Sequence, residues 1–170
     1  MSREFNRYVE KQFALRMKPF NLEPTRASGP IAWPGERCFR TPGNGTVCWI
    51  CVFPDHKGRN EFNVEIAWSH HGKYPASQTS RPTILAVPPA CFSSIAEGFV
   101  RLGNLAKPPR VSWAPAAMED LLGTLTSAQA ASVAGPLVDE ALHVIEFVGL
   151  PLIAQAELAR PVFFEKRQCS

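Results

Sequence analysis

A chain of 170 residues, 45% hydrophobic and 19% charged, has apolar material for one buried core and too little charge for a disordered chain. Arg3, Glu4, Arg7, Glu10, Lys11, Arg16 and Lys18 fall in the first twenty residues and speak against a secretory leader there. The longest uncharged run, Leu121 to Val138, contains Gly123, Thr124, Gln129, Gly135 and Pro136, which a bilayer-spanning helix avoids. A cytoplasmic protein without a membrane partner is expected.

The elements follow in chain order. Phe5, Tyr8, Val9, Phe13, Met17 and Phe20 recur at three- and four-residue spacing and predict an amphipathic helix over residues 3–18, with Ser2 as its cap. Arg3, Arg7, Lys11 and Lys18 form its other, solvated face. From residue 36 to 70 the period changes to two, with strands expected at Arg37–Thr41, Val47–Phe53 and Glu61–Ser69. Gly43-Asn44-Gly45 and Pro54-Asp55-His56-Lys57-Gly58 supply the turns of an antiparallel meander, because Gly and Asn tolerate positive φ. The second strand is apolar on both faces and is expected to be central. In the third, Phe62, Val64, Ile66 and Trp68 point to the core, whereas Asn63, Glu65, Ala67 and Ser69 face solvent or a partner.

Residues 70–92 form a long proline-rich loop with one short strand candidate at Thr83–Val87, and long loops in compact domains tend to be functional. Phe99–Leu105 is a further strand candidate. Helical sequence then runs over 116–158, in pieces at Ala116–Leu125, Ser127–Ala134, Pro136–Val148 and Leu150–Leu158. Pro136 is read as a helix start and Gly149 as a helix end. The fold class is α+β: an antiparallel β-meander of three to five strands with an N-terminal helix and a C-terminal helical segment packed on it, in a single domain over 1–170.

Cys48-Trp49-Ile50-Cys51 has the spacing of redox and zinc motifs. Residues three apart on a strand point to opposite faces, so these thiols do not converge and the motif is read as accidental. A two-residue loop at Asn44-Gly45 would place Cys38 opposite Cys51 and permit a cross-strand disulfide. Buried, free cysteines are the preferred reading for a cytosolic chain. His70 and His71 end the third strand beside Lys73 and Tyr74, without co-ligands at a metal spacing, so no metal and no cofactor is expected.

The net charge of +3 conceals a division. Residues 1–110 hold 15 Lys/Arg against 8 Asp/Glu, giving +7, and residues 111–170 hold 3 against 7, giving −4. Between Val111 and Ala159 there is no Lys or Arg, while Glu119, Asp120, Asp139, Glu140, Glu146 and Glu157 fall there. Leu137, Val138, Ala141, Leu142, Ile145 and Val148 make the core stripe of one helix and leave Asp139, His143 and Glu146 outside, as a surface for a basic partner. The Gly-x-Ser-x-Gly elbow, phosphate-binding glycine loop and His-Glu-x-x-His motif do not occur.

The element order, with Asn63-Val64-Glu65-Ile66, Arg101-Leu102-Gly103-Asn104-Leu105 followed by Trp113, and Gly149-Leu150-Pro151, resembles small uncharacterised bacterial α+β domains over residues 3–155. Some proteins of that layout are immunity proteins that neutralise a toxin by direct binding. The resemblance implies a protein partner, such as a basic toxin domain, and no catalytic residue. The 70–89 loop departs from it.

A non-enzymatic protein-binding protein is therefore expected. Its contact residues are Glu119, Asp120, Asp139, Glu140, His143 and Glu146, with His70, His71, Lys73 and Tyr74 as a second surface. Two alternatives stand beside it. One is an enzyme or ligand-binding protein with a pocket between the sheet and the 70–92 loop. The other, less favoured, is nucleic-acid binding through the basic first half, which would weaken steeply with salt.

Overall fold

The computed structural model describes residues 3–25, 37–42, 46–55, 58–72, 74–75 and 97–158. Ser2, the Gly43–Gly45 turn, Lys73, the Thr83–Val87 strand candidate, Cys91 and Cys169 lie outside the described residues.

Helix α1 spans Arg3–Arg16 and a 3-10 turn follows at Lys18–Phe20. The strands are β1 (Glu23–Thr25), β2 (Arg37–Arg40), β3 (Val47–Pro54), β4 (Phe62–Ser69) and β5 (Glu97–Arg101). They form one antiparallel sheet in the order β1-β2-β3-β4-β5, the expected meander with β3 at its centre. A 3-10 turn at Leu102–Leu105 leads to α2 (Met118–Leu122), α3 (Ser127–Val144), a π turn (Ile145–Gly149) and α4 (Leu150–Leu158). The arrangement is α+β.

The main core lies between the sheet and the helices. α1 contributes Phe5, Val9, Phe13 and Met17, all fully buried, which is the stripe that its spacing predicts. The sheet contributes Phe39, Cys48, Ile50, Val52, Phe62, Val64, Ile66, Trp68 and Val100. Phe62 joins three elements: its ring meets Phe13 edge-on at 5.7 Å and stacks on Trp113 at 5.8 Å, and its N–H and C=O exchange hydrogen bonds with the Trp113 backbone. Burying a side chain of this size contributes about 1.5–3 kcal/mol.

Four expectations need correction. The other face of the sheet is dry as well: Cys38, Val47, Trp49, Cys51, Ala67, Tyr74 and Phe99 form a second buried cluster, and Ala67 and Ser69 of β4 are buried where a solvated face was expected. Phe99–Leu105 is half strand and half 3-10 turn, because Gly103 lies against the Arg110 carbonyl and accepts the Ala106 and Arg110 N–H groups, which turns the chain. β1 is a short edge strand at Glu23–Thr25, where no element was expected. Finally, Pro136 does not start a helix and Gly149 does not end one.

α3 begins at Thr126 with a capping box: Thr126 Oγ1 accepts the Gln129 N–H and Gln129 Oε1 accepts the Thr126 N–H. It then runs through Pro136, although a proline inside a helix lacks one hydrogen bond and costs about 3 kcal/mol. Packing offsets that penalty. Ala130, Ala134, Val138, Ala141 and Leu142 are buried, and the helix packs on α1, whose Tyr8 hydroxyl lies 3.5 Å from where a Gly135 Cβ would stand. Ser127 Oγ donates to Glu4 Oε2 at 2.8 Å, closing the same contact.

Gly149 lies in the π turn and is buried against the sheet. A Cβ there would stand 3.1 Å from Ile66 Cδ1 and 3.6 Å from Leu102 Cδ1. Gly98 in β5 is tighter, since a Cβ would lie 2.7 Å from the buried Trp68 ring. An Ile methyl can rotate away and a packed indole cannot. Gly98→Ala is therefore expected to lower stability by about 1–3 kcal/mol, seen as a melting temperature several degrees lower. Gly149→Ala should cost clearly less in the same thermal melts, and equal losses would refute this account of the two sites.

Candidate functional site

The residues proposed from sequence do not all meet. Asp139 and His143 on α3 and Glu146 on the π turn converge with Arg16 of α1, Phe20 of the adjoining 3-10 turn and Leu142 around a shallow open cleft of ≈ 220 Å³. Helical spacing explains the convergence, since 139, 143 and 146 are four and three apart and share one face. Phe20 and Leu142 give the cleft an apolar side, and Asp139 is ion-paired with Arg16. His143 and Phe147 pack ring against ring at 4.5 Å with a 44° tilt. Phe147 remains 63% exposed, high for so large an apolar side chain.

The other candidates are deployed elsewhere. Glu140 turns to Arg110 in an ion pair, and the Arg110 guanidinium lies 5.9 Å from the centre of the Trp113 ring. Glu119 is exposed on α2 and Asp120 is half-buried. That short helix is clamped by Asn60, which is fully buried: its N–H donates to the Leu121 carbonyl at 2.7 Å, and its Nδ2 donates to the carbonyls of Asp120 and Gly123 at 2.6 and 2.8 Å.

At the end of β4, His70 Nδ1 and Thr46 Oγ1 lie 2.7 Å apart, while the exposed His71 donates its backbone N–H to Ser69 Oγ. Tyr74 is buried, edge-on to Trp49 at 5.4 Å. Thus His70 and Tyr74 are engaged in the fold rather than displayed, and Lys73 is outside the described residues. None of this group lines the cleft. Among the described residues no three His, Cys, Asp or Glu side chains stand together in a way that could hold a metal ion, and no helix is long and apolar enough to cross a membrane.

The cysteines divide as strand geometry requires, Cys48 toward the helices and Cys51 into the second cluster. Cys38 and Cys51 are directly opposed with Cα atoms 4.2 Å apart, the register that a two-residue loop implies. They are joined as a disulfide, which corrects the preference for free thiols at these positions.

Arg16, Arg110, Phe20 and Phe147 were missed. Arg16 and Arg110 sit outside the acidic stretch in sequence and reach it only through tertiary structure. Phe147 carries a readable signal, an aromatic between Glu146 and Val148 that is off the core stripe.

No family model matches the chain, and neither a curated protein nor a solved structure is found to be similar to it.

Burial, with the nearby Glu157 charge as a smaller cause, pushes the Cys48 thiol up from 9.0 to about 12. The folded thiol stays protonated, and a protonated thiol is a poor nucleophile. The unfolded chain releases this proton from about pH 9, so it binds fewer protons than the folded chain between about pH 9 and 12 and stability falls across that window. Two results are expected: peptide mapping finds Cys48 alkylated at pH 8 at less than about a tenth of its rate in the denatured chain, and melting temperature falls more steeply from pH 9 to 11 in the native chain than in Cys48→Ala.

Proposed function

We propose that this chain works by binding another protein, through the surface that α3 and the π turn present around the cleft. The observation that carries this reading is Phe147, a large aromatic side chain 63% exposed, set against His143 and next in the chain to Glu146, two residues that line the cleft. Aromatic anchors flanked by polar groups dominate the energetics of protein interfaces.

Charge supports a basic partner. Of the six carboxylates between 111 and 158, Asp139 and Glu140 are neutralised by Arg16 and Arg110, whereas Glu119, Asp120, Glu146 and Glu157 have no ion-pair partner among the described residues. A partner bringing Lys or Arg to Glu146, over the Phe147 ring, would gain both an ion pair and a cation–π contact. The expected contact is therefore narrower than the acidic helix as a whole: Glu146, Phe147 and His143, with Asp139 as a residue already engaged. Neutralisation of a bacterial toxin with a cationic cleft is the specific form we propose, and the non-enzymatic role goes with it.

The test is a comparison of captured proteins. Tagged wild-type chain is set beside Glu146→Lys/Phe147→Ala and beside a control reversal, Glu97→Lys, in the cells that make the protein. A partner held by the wild type and the control, released by moderate salt, should bind the double variant more weakly by about 2 kcal/mol or more, roughly thirtyfold. Equal affinity, association rate and salt dependence in all three would remove this surface from the interface.

A further inference from the structure

We propose that the Cys38–Cys51 disulfide is a redox latch that holds the β1–β2 edge onto the sheet, and that its reduction frees that edge while leaving the rest of the fold in place. β2 has four residues, and among the described residues β1 pairs in the sheet with β2 alone, so β1 joins the sheet through β2. The bond ties the middle of this arm to β3, pairing Cys38 with Cys51 across the ladder and closing a loop of 13 residues in sequence separation. β3–β4 and β4–β5 carry eight and five register pairs and no covalent link.

Burial makes the bond a latch rather than an exposed thiol pair. Cys51 is fully buried and Cys38 is 3% exposed within the cluster on the second face of the sheet, so a reductant reaches the sulfurs only after the packing over that face has opened. Cys48 cannot intercept the exchange, because it sits in the core on the opposite face of β3. With a dithiol, one thiolate attacks one sulfur of the pair and its second thiolate resolves the mixed disulfide. Two electrons and two protons pass to Cys38 and Cys51, and the reductant leaves as its own disulfide. Glutathione disulfide reverses the step: one cysteine thiolate displaces a glutathione thiolate, and the other cysteine displaces the second. Opening of that packing is thus needed for reduction, and once the bond is reduced β2 can part from β3, which gives the edge two persistent states.

The test uses the full chain purified in air. Peptide mapping without reductant should find Cys38 joined to Cys51, and the rate of reduction should level off as dithiothreitol is raised, because opening becomes limiting. On reduction, amide exchange should accelerate in residues 23–25 and 37–40 on the order of tenfold to a hundredfold, and in β4 and β5 by less than about twofold. Cys38→Ala/Cys51→Ala should show the reduced pattern without reductant; if it does not fold, reduced wild type alone decides. The proposal is overturned by free thiols at both positions, by a reduction rate that stays proportional to reductant, by unchanged exchange, or by equal acceleration in all strands. The last would make the bond a staple of the whole domain.

Discussion

β3 must be dry on both sides, and the rest of the molecule answers to that requirement. Its residues alternate between two buried clusters, Cys48, Ile50 and Val52 toward the helices and Val47, Trp49, Cys51 and Phe53 toward the other face. A strand of this kind can only be central, which places β2 and β4 at its flanks and β1 and β5 outside them. The helical face needs a broad apolar cover. α1 and α3 provide it by packing on each other, with Gly135 beside Tyr8 at their contact. The cleft lies at the end of this same contact, where Arg16 closes on Asp139.

Much of the fold is legible because its signals are periodic and local. Phe5, Val9, Phe13 and Met17 declare the first helix, and the alternation through Phe62, Val64, Ile66 and Trp68 declares both the strand and its core face. The Cys38–Cys51 register is the one that a two-residue loop at Asn44-Gly45 would set. What sequence reading misses is decided by contacts distant along the chain. Proline and glycine are strong local breakers, yet Pro136 is overruled by the packing of Ala130, Ala134 and Val138, and Gly149 is there so that a helix can lie against Ile66 and Leu102. The polar-looking face of β4 fails for the same reason, since alanine and serine occur on solvated and buried surfaces alike.

The acidic stretch shows how charge along a sequence differs from charge in space. Forty-eight consecutive residues, 111–158, lack a single Lys or Arg. Folding nevertheless brings Arg16 to Asp139 and Arg110 to Glu140. These two carboxylates are partly spent on holding α3 to its neighbours, and exposed pairs of this sort contribute only about 0–1 kcal/mol each. The residues available to another molecule are those that the fold leaves alone, and in the cleft that selects Glu146 over Asp139.

The π turn constrains the chain in a further way. The Leu150 N–H reaches back five residues to the Ile145 carbonyl, so this turn holds one residue more than an α turn. A turn with one extra residue completes its circle much as an α turn does, so the residue is absorbed within 145–149 and the helix beyond keeps its phase, with Ile153 and Ala156 buried. Within the turn Ile145 and Gly149 are buried while Glu146 and Phe147 face outward. The bulge thus lets one helix serve the core along its whole course and still hold an aromatic ring out to solvent.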